Sequence, residues 1–134
     1  MISKGGIVMI NFQQGHVWKL KQVPNERGQE MLEGLLIDGE YIVSSFVTAR
    51  DMVIFTNKRI VSVDVQGITG SRKSFATMPY SNIQYFTIQT VGFIEAFPDS
   101  ELFISFNNGF TATFEFKTNV NMREIGKMIS QYVL

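Results

Sequence analysis

The amino-acid sequence predicts a mainly β fold, a bent antiparallel barrel of seven short strands carrying one amphipathic helix at its C-terminal end. Three observations predict it. From Tyr41 to Lys117, β-branched and aromatic runs alternate with turn residues at the spacing of a meander. Asn108-Gly109 stands between two such runs and is the strongest hairpin signal in the chain. After Lys117 the apolar period changes from two to that of a helix. A chain of 134 residues supports one domain with its own core.

Taken in order, the first residues stand apart. Lys4-Gly5-Gly6 is what a purine-rich ribosome-binding sequence encodes when read in frame, and Met9 follows at a suitable distance. Translation is therefore expected to start at Met9. In VWKLKQV, Trp18 and Leu20 alternate with Lys19 and Lys21, the pattern of a half-exposed strand. Pro24-Asn25 punctuates the chain, with Asn25 placed to cap a helix from Glu26 to Leu36. Met31, Leu32, Leu35 and Leu36 form its apolar side, and Glu26, Glu30 and Glu33 its wet one. Residues 1–36 thus form an N-terminal extension and residues 37–134 the barrel domain.

Asp38-Gly39 opens the barrel. YIVSSFVTA, MVIFT and RIVSVDV follow as strands, separated by turns at Arg50-Asp51 and Asn57-Lys58. A loop, QGITGS, leads to KSFATMPY, ended by Pro79. IQYFTIQTV comes next, then a loop holding Gly92 and Pro98, then ELFISF. FTATFEFK returns from Asn108-Gly109 in strict alternation. In the last segment Val120, Met122, Ile125, Met128, Ile129, Tyr132 and Val133 trace a helical stripe that would plug the open end of the barrel. Asn121 and Glu124 are spaced as a capping pair at its start.

Composition narrows the function. There is no cysteine, which excludes disulfides, thiolate metal sites and cysteine nucleophiles. His16 is the only histidine, which removes most zinc sites and most general-base chemistry. No nucleophile–base pair is convincing, so no catalytic residue, metal or cofactor is expected, and the chain reads as a non-enzyme. No apolar stretch reaches the length of a membrane span, and the address expected is cytoplasmic. Twelve basic and twelve acidic residues cancel, so no global field draws the chain to nucleic acid or anionic lipid. Between Ser74 and Phe116 there is no Lys or Arg.

At Gly39-Glu40, at RDMVIFTNKRIVSVDVQGITGSRK and at MPYSNIQYFTIQTVGF, the sequence resembles the bacterial pleckstrin-homology (PH) family. The resemblance spans roughly residues 36–134. It implies a seven-stranded bent barrel capped by a C-terminal helix, assembly into ring-shaped homo-oligomers, and no enzymatic activity.

Two candidate sites follow. Lipid-binding relatives place several cations on the loop between the first two barrel strands. Here that loop holds only Arg50 beside Asp51, so a membrane-lipid partner is the secondary reading. A looser anion site could form from Lys58, Arg59, Arg72 and Lys73 at one end of the barrel, with Gly70 letting backbone amides approach. The competing account pairs Arg59 with Asp51 or Asp64 and leaves the lysines solvated. Asp99 and Glu101 would share a sheet face but supply too few ligands for calcium. The second candidate is an interface. Ile83 to Ile94 is β-prone, aromatic and wholly uncharged, a hazard unless something covers it. Its outward residues, Gln84, Phe86, Ile88 and Thr90 or the alternate set, are expected to join copies of the chain, with Trp18 and Leu20 of the N-terminal strand contributing. The primary reading is a homo-oligomeric binding or scaffold module, with another protein as a further partner.

Overall fold

Runs that are apolar on both faces must be covered on both faces, and the arrangement of the sheet follows from that. The structure, a computed structural model, describes residues 15–90, 99–117 and 119–134. The expected start at Met9 and the loop holding Gly92 and Pro98 lie outside these residues. The elements in chain order are β1 (His16–Val23), α1 (Asn25–Met31), β2 (Ile42–Val47), β3 (Met52–Thr56) and β4 (Arg59–Gln66), then β5 (Arg72–Pro79), a 3-10 turn (Tyr80–Asn82) and β6 (Ile83–Gln89), and finally β7 (Ser100–Phe106), β8 (Thr111–Phe116) and α2 (Met122–Val133). The eight strands form one sheet in the order β5-β4-β3-β2-β1-β8-β7-β6. They are the seven predicted barrel strands together with the N-terminal strand.

That strand is built into the middle of the sheet. β1 runs antiparallel to β2, with Lys21 opposite Val47, and parallel to β8, with His16 opposite Thr113 and Leu20 opposite Phe116. It joins a four-stranded meander to a three-stranded one. β5 and β6 end the sheet and are not laddered to each other, so the barrel is open there. Helix α2 covers the opening. Its Met122, Ile125, Met128 and Ile129 are buried in a core shared with Phe46, Phe55, Phe114 and Phe116. Asn121 caps it as predicted, its Oδ1 accepting from the N–H groups of Arg123 and Glu124.

A smaller core lies on the other face of β2–β4, where Ile54, Val61 and Val63 pack with Leu32 under α1. It explains why β3 is buried at all five positions. Gly28 makes the close contact possible, since a Cβ there would stand 2.3 Å from Ser45 Oγ. The helix is shorter than predicted. It ends at Met31, and Leu32 and Leu35 continue in turns. Asn25 does not cap it; its side-chain amide donates to the Val43 carbonyl instead.

Trp18 and Leu20 do not share a face as their alternation predicts. A bulge falls between Val17 and Leu20, with Lys19 at φ 57°. Leu20 is thereby fully buried, while Trp18 is half exposed.

Candidate functional site

The loop cations are fixed by the turns that carry them. Arg59 begins β4 opposite Pro79, and Arg72 begins β5 opposite Gln66, at the far end of the same ladder. Eight residues at about 3.3 Å each hold the two ends more than about 20 Å apart. Lys58, Arg59, Arg72 and Lys73 therefore do not converge, and the four-cation anion site is corrected on that ground. Gly70 is also occupied, its N–H donating to the Gly67 carbonyl, which accepts from the Arg50 guanidinium as well.

Arg59 has a partner that neither reading named. Its Nε donates to Glu40 Oε2 at 2.7 Å and its Nη2 to Glu40 Oε1 at 3.0 Å. Thr56 Oγ1 donates to Glu40 Oε2 at 2.7 Å, and the Ile37 N–H donates to Oε1 at 3.1 Å. The Glu40 side chain has no solvent exposure. Burial alone would push its carboxyl upward, but the hydrogen bonds from Arg59, Thr56 and Ile37 outweigh it and hold the pKa at about 2. Asp51 and Asp64, the partners expected for Arg59, are engaged elsewhere. Asp51 accepts from the Val65 N–H, and Asp64 from the Gln66 amide. Burial raises the Asp51 carboxyl, the Val65 hydrogen bond opposes this, and nearby Asp64 adds to it.

The β6 residues divide by face. Phe86 and Ile88 turn inward and pack half-buried against the main core. Ile88 meets α2 closely enough that a Cβ on Gly126 would stand 2.3 Å from its Cδ1. These two and the buried Leu20 are thus contacts within the chain, a correction to the interface expected from sequence. Gln84 and Thr90 are exposed, as are Tyr85, Thr87 and Gln89. Tyr85 is 54% exposed and lies beside Phe103 of β7, with ring centroids 6.2 Å apart. β6 hydrogen-bonds to β7 alone, so its other edge carries no ladder partner among the described residues.

A cleft of about 300 Å³ opens between β1, β2 and the start of α2. Gln22, Asn121 and Glu124 line its polar side, and Phe46 and Met128 its apolar one. Ser44 also faces it, with a buried hydroxyl that has no hydrogen-bond partner among the described residues. The far end of α2 is held by Tyr132, which stacks on buried Tyr80 and shares a 3.0 Å hydroxyl contact with Tyr41. None of these groups forms a nucleophile–base arrangement.

A bent sheet closed by a C-terminal helix defines a pleckstrin-homology-like domain. The chain belongs to the bacterial PH domain family, whose profile matches residues 11–133 and so includes β1. It is similar to two proteins of Bacillus subtilis (strain 168). The uncharacterized protein YjqA is 32% identical over 102 residues, covering 76% of this chain and 82% of the relative. The uncharacterized protein YozO is 30% identical over 102 residues, covering 76% and 86%. Among solved structures, a DUF1696 family protein with a pleckstrin-homology domain from Shewanella loihica PV-4 superposes with a TM-score of 0.75 at 28% identity. That match covers 88% of this chain and all of the other. A pleckstrin homology domain from Shewanella amazonensis SB2B gives 0.64 at 29% identity, covering 84% and 90%. No helix among the described residues is long and apolar enough to cross a membrane.

Proposed function

We propose that this chain is a non-catalytic binding module that works as a homo-oligomer, its copies joined along the outer edge of β6. The observation that carries this reading is the different treatment of the two sheet edges. β5 bears Arg72 and Lys73 at one end and Pro79 at the other, features that blunt an edge against further pairing. β6 bears no charge and no proline, and it exposes Tyr85 and Thr87. A strand added there would gain ladder hydrogen bonds without any side-chain site. A second copy carries no net charge and meets no repulsion. Repetition of the small cleft in an assembly would supply avidity that one copy lacks. A cytoplasmic setting belongs to the same proposal.

Light scattering after size exclusion, at two concentrations, tests it. The expected result is an oligomer that Tyr85→Lys with Thr87→Lys, both on exposed positions, converts to a smaller folded species. A wild-type monomer at both concentrations overturns the assembly. An oligomer of unchanged mass in the variant moves the contact away from β6.

One observation favours a second reading, attachment to an anionic membrane surface. Ile68 is fully exposed at the tip of the β4–β5 loop, with Arg72 and Lys73 exposed beside it. Co-sedimentation with phosphatidylserine vesicles that is lost in Ile68→Ser would support it, and absence of co-sedimentation would refute it.

A further inference from the structure

The outer face of β1, β8 and β7 gathers the only histidine of the chain with two glutamates. Glu101 on β7 and Glu115 on β8 are directly opposite across their ladder. His16 on β1 is opposite Thr113, two residues before Glu115 and so on the same face. One nitrogen of His16 and one oxygen from each carboxylate all lie within 4.8 Å of one another.

Taken as bare protein, the arrangement has two faults. Like charges placed directly opposite on a sheet destabilise it. Nε2 of His16 is buried without a hydrogen-bond partner among the described residues, a state that native proteins seldom leave uncompensated. Lys19 offsets the first fault only in part, since its ammonium is hydrogen-bonded to Asp99 at 2.8 Å and feels Glu115 as a lesser attraction. The imidazole is nevertheless held in place. The indole of Trp18 stacks on the imidazole, with centroids 3.8 Å apart and planes 8° from parallel. The bulge that puts Lys19 in the left-handed region sits beside it, and such bulges are over-represented next to functional sites.

We propose that His16, Glu101 and Glu115 bind one divalent transition-metal ion, with zinc the best match. A single cation would neutralise the facing carboxylates and give the orphan imidazole nitrogen its partner. Zinc accepts one imidazole with carboxylate oxygens at about 2.0–2.2 Å, and small side-chain rotations close a 4.8 Å cluster to that size. Magnesium and calcium prefer shells made wholly of oxygen. Three protein ligands leave a fourth position for water. The site spans the parallel seam between β1 and β8, so the ion would also tie the N-terminal strand to the last hairpin.

Tag-free, chelator-stripped protein titrated with Zn²⁺ tests the proposal. Because His16 is the only histidine, its imidazole resonances form a single reporter in a two-dimensional NMR spectrum. They should shift and saturate at one Zn²⁺ per chain, with no response to Mg²⁺ at the same concentration. Imidazole signals unmoved at one equivalent overturn the site without recourse to any variant. In calorimetry, Glu115→Gln should weaken Zn²⁺ by at least about tenfold, and Glu101→Gln likewise. Zinc affinity unchanged in both variants would show the ion bound elsewhere and overturn the proposal equally.

Discussion

Glu40 and Arg59 offer the sharpest test of how this fold is held. Replacing Glu40 by Gln keeps the shape and the acceptor for the Ile37 N–H but removes the charge facing the guanidinium. The carboxyl is held at about 2 against an ordinary 4.5. At about 1.4 kcal/mol per pH unit, this makes the ionised form worth roughly 3 kcal/mol to the folded state. Breaking a buried pair by other means costs a similar 3–5 kcal/mol or so. For a domain of this size that corresponds to a fall in Tm of about 10 °C at neutral pH. The sign with pH is fixed, because the folded-state pKa is depressed. The stabilisation is complete above about pH 4.5 and is lost as the pH falls toward 2. The gap between wild type and Glu40→Gln, followed by thermal and urea unfolding, should therefore close across that window. Arg59→Met should be worse than Glu40→Gln at neutral pH, since it strands a buried carboxylate, and adding Glu40→Gln to it should recover part of the loss. A Glu40→Gln protein within about 2 °C of wild type at neutral pH, or a gap that is the same at pH 3 and pH 7, would refute the reasoning.

Three further expectations rest on single contacts. Burial raises the Asp51 carboxyl, so its ionised form is a penalty that grows as pH rises through the carboxylate range and is absent in strong acid. Asp51→Asn, which can still accept from the Val65 N–H, should raise Tm at pH 7 and lose that advantage at acid pH; a lower Tm at pH 7 would count against it. Gly28→Ala should destabilise despite a helix-propensity gain of about 1 kcal/mol, because its Cβ meets Ser45 Oγ. Ser45→Ala, which removes a buried hydroxyl without a partner among the described residues, should be near neutral alone and rescue much of the Gly28→Ala loss in urea unfolding. Asn121→Ala should cost about 1 kcal/mol through loss of the α2 cap, measured the same way.

What could be read in the sequence was local. The Asn108-Gly109 turn fixes its hairpin, and counting outward from it sets Ser105 against Thr111 and Glu101 against Glu115. That count was a signal for the facing glutamates, whereas spacing along one strand suggested Asp99 with Glu101. Asp99 precedes β7 and binds Lys19 instead. The capped C-terminal helix was legible for the same local reason. Pairings across the chain were not. Nothing near Arg59 marks Glu40 over Asp51 or Asp64, because the choice depends on how the β2 approach crosses the β3–β4 turn. Asn57 sets that crossing, accepting from the Tyr41 N–H and donating to the Gly39 carbonyl. The bulge in β1 broke an alternation that looked regular, and the parallel pairing of β1 with β8 leaves no trace in either strand alone.

That parallel pairing governs the order in which the molecule can be built. His16, Val17 and Leu20 wait for Thr113, Phe114 and Phe116, which leave the ribosome nearly a whole domain later. Until then the first strand can lie only on β2, and the two meanders cannot be joined into one wall. Contacts so distant in sequence slow folding and prolong the exposure of unfinished edges. The uncharged β6 strand emerges inside that interval, before the hairpin that shields one of its sides. A nascent chain is therefore most vulnerable to misassembly when it is almost complete, because its uncharged strand has emerged and the ladder partner of that strand has not.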